Sequence, residues 1–129
     1  METEKKRGQG QAEFEEFDES GYSEKQADLD AEIHAGEWQN LKRFKLYQQR
    51  SRQWRIIATY QAISNRLNQL VGLYYKLVRD NPRKAENMLA ELQKLRMLQE
   101  ILLNILAWEE NGQTVERDMI PQELLDVIE

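Results

Sequence analysis

The sequence holds no cysteine, two prolines, six glycines and one histidine in 129 residues. The missing cysteine excludes disulfides, thiolate metal sites and a cysteine nucleophile, and fits a reducing compartment. So little proline and glycine leaves few places where a helix would be interrupted. Long apolar runs are missing as well. The longest, Leu70 to Val78 and Ile101 to Trp108, are too short to span a bilayer, and Met1 to Gln11 lacks the apolar stretch of a secretory signal. A cytoplasmic protein with no membrane partner is the expectation.

The patterns that carry common chemistry are also missing. There is no G-x-G-x-x-G, no Walker loop, no G-x-S-x-G and no Glu-x-x-His pair of the kind that builds a di-metal bundle. His34 could share a helix face with Asp30 and Glu37, but with no second histidine and no evident nucleophile it reads as a solvated residue. No catalytic, metal-binding or cofactor-binding residue is therefore expected, and the chain is read as non-enzymatic.

What the sequence does contain is helical periodicity. Ile56, Tyr60, Ile63, Leu67, Leu70, Tyr74 and Leu77 are spaced four and three in alternation, which keeps one stripe of a helix apolar. The run stops at Asp80-Asn81-Pro82, where Asn81 suits an N-cap and Pro82 the first position of a new helix. A second broad apolar face follows, with Leu95, Leu98, Leu102 and Ile105 at its centre, and Asn111-Gly112 ends it. The fold class expected is all-α: an antiparallel helical hairpin over about 56–80 and 82–110, with a preceding helix. Asn104 continues a spacing with Met97, Ile101 and Trp108, either as a register-fixing polar residue in a stripe or as an edge position facing water.

Three regions are delimited. Residues 1–22, rich in charge and glycine and poor in large apolar groups, read as a disordered acidic tail. Residues 23–111 read as the helical domain, entered by a Ser23-x-x-Gln26 capping box and kinked or broken near Gly36. Residues 112–129 read as a C-terminal tail with a short helix at about 121–128. The polar stretch Gln48 to Gln53 is either an exposed part of one long helix or a second break, and the apolar phase changes across it.

A hairpin this small with faces this wide cannot bury them alone. Two completions are open: a homodimer pairing two hairpins into a four-helix bundle, which is favoured, or a monomeric bundle in which residues 38–54 and the C-terminal turns cover the hairpin.

Charge is sharply segregated beneath the net value of −5. Residues 13–37 carry ten carboxylates against Lys25 alone, and residues 38–84 carry eleven bases against Asp80 alone. The stretch Trp38, Lys42, Arg43, Lys45, Arg50, Arg52, Trp54 and Arg55 is the candidate partner surface, since cations can neutralise phosphates and exposed aromatics can stack on bases. Its bland reading is a solvated helix face whose bases pair with the chain's own acids. Phe14 and Phe17, set among acids, form a candidate tail motif that could dock on that basic segment. Two functions follow as expectations: an adaptor or regulator acting through a protein partner and self-association, or a nucleic-acid-binding regulator using residues 38–55 with the acidic tail as competitor. The stripe itself makes a prediction. Leu102→Asp, which would bury an unpaired charge, should abolish the cooperative melt followed by circular dichroism or dissociate the protein, whereas retained helicity and solution mass would remove Leu102 from the core.

Overall fold

The computed structural model describes the backbone from Glu19 to Glu129 and side-chain surroundings from Glu24 onward. All regular structure among the described residues is helical. In chain order the elements are α1 (Glu19–Ala35), the 3-10 helix η1 (Trp38–Arg43), α2 (Lys45–Gln48), α3 (Arg52–Asp80), α4 (Pro82–Glu110), the 3-10 turn η2 (Arg117–Met119) and α5 (Gln122–Ile128).

The hairpin expected from the sequence is α3 and α4. Asn81 alone joins them: its side chain accepts from the Lys84 N–H at 3.3 Å, and Pro82 starts α4 where no amide proton is needed. So short a connection forces the helices antiparallel. Contacts along the seam confirm this, Arg52 meeting Glu109 near one end, and Ser64 bonding Gln99 and Arg66 pairing with Glu91 further along. Ile56, Ile63, Leu70, Leu95, Leu98, Leu102 and Ile105 are buried as expected, with Tyr60, Leu67 and Tyr74 partly buried against them. Leu77 is likewise half-buried.

The first arm is longer than expected, because α3 begins at Arg52 rather than near 56. Ser51 is its N-cap, the hydroxyl accepting from the Trp54 N–H at 3.1 Å. The polar stretch is thus a break, with Gln49 to Ser51 outside either helix. The break explains the change of apolar phase, since Tyr47 lies in α2 and Phe44 at its N-cap, both separated from α3 by Gln49 to Ser51.

Two further boundaries differ from the sequence reading. The Ser23-x-x-Gln26 pattern does not open α1, which is already helical at Glu19. Of the segment read as a tail, residues 1–18, including Phe14 and Phe17, lie outside the described residues. The segment after Gly112 is not peripheral either. Ile120, Leu124, Leu125, Val127 and Ile128 are all buried, and α5 packs on η1 and α3. Its short amphipathic turn looked like an appendage because seven residues show too few repeats for periodicity to reveal a wide apolar face.

Gly36 breaks the chain between α1 and η1, with the positive φ of +77° that ends a helix in a left-handed cap. Its amide bonds the Glu32 and Ile33 carbonyls at 3.1 Å, and the Glu37 amide returns to Glu32. A Cβ on Gly36 would stand 2.7 Å from the Arg66 backbone nitrogen, so the bare backbone also permits α1 to lie directly on α3. Gly36→Ala combines strained φ with a backbone clash, and is expected to lower unfolding free energy by more than about 1 kcal/mol in urea titrations. An unchanged midpoint would mean that this approach is not needed.

Candidate interaction surfaces

The basic-aromatic segment 38–55 is largely turned to structural use. Trp38 is 2% exposed and Tyr47 fully buried, while Phe44 and Trp54 are half-buried. The Tyr47 hydroxyl lies 2.8 Å from Thr59 Oγ1, which itself donates to the Arg55 carbonyl at 2.8 Å. Burial pushes the phenol pKa up to about 12. Trp54 packs edge-on to Tyr47 at 5.7 Å, with the Arg50 guanidinium 5.5 Å from its ring. Trp38, in the core, offers no face for a base, and Trp54 is half-buried with Tyr47 and Arg50 against its ring.

Several of the cations are equally committed. Arg52 Nε donates to both Glu109 carboxylate oxygens at 3.0 and 3.3 Å, and its Nη1 pairs with Glu129. Arg55 donates to the Ile128 carbonyl at 3.0 Å and to the Arg50 carbonyl at 2.8 Å. Together they bind the start of α3 to the ends of α4 and α5. Arg43 pairs with Glu32 at 3.2 Å across the turn from α1. Lys42, Arg43 and Lys45 are the exposed cations of the group, and of these Arg43 is the one paired with Glu32. A second basic cluster, Lys76, Arg79, Arg83 and Lys84, is exposed around the hairpin tip. Its sequence signal is the four bases that flank the Asn81 turn, a cluster without the aromatic interleaving of residues 38–55.

The hairpin has two unlike flanks. On one, Asn65 donates to the Ile33 carbonyl at 2.6 Å and Gln69 to the His34 carbonyl at 3.5 Å, fastening the last turn of α1. A cleft of about 580 Å³ lies there between Gly36, Trp38, Arg66, Glu91 and Lys94, bordered by the Arg66–Glu91 and Lys94–Glu123 pairs.

The other flank is open. Heptad spacing aligns Ile57, Ser64, Val71 and Val78 along α3, and Leu89, Arg96 and Leu103 along α4. Ile57, Val71, Tyr75, Val78, Leu89 and Leu103 are exposed to between 36% and 70%, and all fall on or beside this flank. Cross-seam polar bonds on this side include the 2.8 Å Gln99–Ser64 hydrogen bond and, nearer the start of α3, Gln53 donating to Glu110 at 3.4 Å. Periodicity alone could not distinguish this flank from its buried counterpart. Asn104 is exposed, at the rim of a groove of about 310 Å³ with Ile101, Trp108, Val115 and Met119.

His34 is exposed, and the described residues contain no group of three or more potential metal ligands. No described helix is long and apolar enough to cross a membrane. Comparison of the chain with protein-family models, with curated proteins and with solved structures finds no match.

One acid is perturbed. Burial of Glu32, with the nearby Glu37 carboxyl, raises its pKa above the ordinary 4.5, against the pull of Arg43 and Asn40. The folded protein therefore holds this proton more tightly than the unfolded chain, so Glu32 withdraws stability as pH rises through its folded pKa. Glu32→Gln should melt above wild type at pH 8, by a margin that shrinks as pH falls toward 4.5. A margin independent of pH would show that Glu32 is not the group responsible.

Proposed function

We propose that this protein is a non-enzymatic helical adaptor or regulator whose working surface is the open flank of the α3/α4 hairpin, acting through protein contacts that include self-association. The observation that carries this reading is the asymmetry of the hairpin. One flank is sealed by α1, η1 and α5, while the other presents Ile57, Val71, Val78, Leu89 and Leu103 to solvent. Contiguous exposed apolar surface on a small protein marks an interaction site more often than scattered single residues do. Its shape, a shallow groove between two antiparallel helices, suits a partner that adds helices to it.

Phosphate binding by residues 38–55 is the weaker reading, because Arg52 and Arg55 tie α5 to α3 and Trp38 lies in the core. Reversing Arg52 would loosen the fold before it tested an interface. Lys42 and Lys45 are the exposed positions at which nucleic-acid binding can be probed without that confusion.

The test uses Val71→Asp combined with Leu89→Asp, both at positions more than a third exposed. Circular dichroism and the melting transition should stay close to wild type, while association in sedimentation velocity should be lost. Association that survives both changes would remove the open flank as the working surface.

A further inference from the structure

We infer that the open flank is closed by the same flank of a second copy, around a two-fold axis crossing α4 midway between Arg96 and Glu100. The inference rests on the proposal that this flank is the working surface, and adds the occupant and its register.

Size is the first argument. From Ile57 to Val78 the flank runs about 30 Å at 1.5 Å per residue, and two packed helices with their side chains are about 20 Å across. That is on the order of 600 Å² in projection and more as accessible surface, close to the roughly 800 Å² per partner of a stable interface.

Charge is the second. The α3 side of the flank is uncharged from Ile57 through Gln61, Ser64, Asn68 and Val71 to Val78. The α4 side carries Arg96 and, one turn on, Glu100, both exposed. A two-fold axis between them sets Arg96 against the partner's Glu100 and Glu100 against the partner's Arg96, the reciprocity an isologous interface requires. The acidic segment 13–19 meets mixed charge on this flank, where Glu86, Glu100 and Glu110 stand beside Arg83 and Arg96.

Register is the third, and it follows without further choice. The Ser64–Gln99 hydrogen bond ties the middle of α3 to the same level of α4, so the axis also passes near Ser64. On α3 that places Ile57 against the partner's Val71 and Ser64 against the partner's Ser64. On α4 it places Leu89 against the partner's Ala107. The position chosen by charge thus pairs Ile57 with the partner's Val71 and Leu89 with the partner's Ala107, sets Leu103 against the partner's Gln93, and completes a four-helix bundle.

Charge exchange on the full chain tests this by sedimentation equilibrium, with circular dichroism confirming that each variant is folded. Wild type should be dimeric. Arg96→Glu and Glu100→Arg should each weaken self-association by about tenfold or more, since each places like charges together twice. Mixing the two variants should restore a heterodimer, and the double variant carrying both changes should dimerise as wild type does. A dimer indifferent to all these changes would overturn the register while leaving the open flank available to the adaptor reading. A wild-type chain that stays monomeric at high concentration would overturn this inference together with the self-association in the functional reading. A chain that dimerises only after removal of residues 1–18 would show that the tail, not a second copy, covers the flank.

Discussion

The structure depends first on the apolar seam between α3 and α4. Two helices of 29 residues, joined by Asn81 alone, can only fold back on each other, and four-three spacing on both keeps large side chains in the plane where they meet. Every other element is placed relative to that seam. Trp38, Leu41 and Tyr47 come from segments too short to be stable helices alone, and Leu124, Leu125 and Ile128 from a seven-residue helix, yet all are buried because the seam supplies the surface they share.

Electrostatics then decides how the segments around the seam are held. A run of bases with no acid between Trp38 and Arg79 would repel itself if its cations stayed together in solution. Folding sends Arg52 to Glu109 and Glu129, Arg43 to Glu32, and Arg66 to Glu91. The segregation of charge along the chain thus becomes interleaving in space. Arg52 and Arg55 gain most from it, because they are partly shielded from water and bond to oxygens of α4 and α5. The more exposed Arg66–Glu91 and Lys94–Glu123 pairs add little to stability and instead shape the rim of a cleft.

The same packing makes the two flanks of the hairpin unlike. A two-helix hairpin has two flanks, and α1, η1 and α5 all gather on one of them. Sealing both would take more chain than the described elements provide, so the flank carrying Ile57, Val71, Leu89 and Leu103 stays exposed. The residues that looked most functional, the aromatic and basic side chains of 38–55, mainly build the sealed flank. The residues of the open flank are, by spacing alone, ordinary members of amphipathic helices.

The amino-acid sequence by itself determined the elements that local physics controls. The stripe from Ile56 to Leu77, the Asn81-Pro82 turn, the apolar face around Leu102, and the helix ends at Gly36 and Gly112 are all legible, because periodicity, capping and left-handed backbone depend on residues a few positions apart. Tertiary structure decided the rest. Whether Gln48 to Gln53 continued a helix depended on how Tyr47 packed against Thr59 and Trp54, and whether residues 120–128 were a tail depended on the groove that η1 and α3 offer them. The partners of Arg52 stand 57 and 77 positions away, beyond any local pattern. Which hairpin flank stayed open was settled last, because helical spacing makes the two flanks alike and only the arrival of α1, η1 and α5 on one side tells them apart.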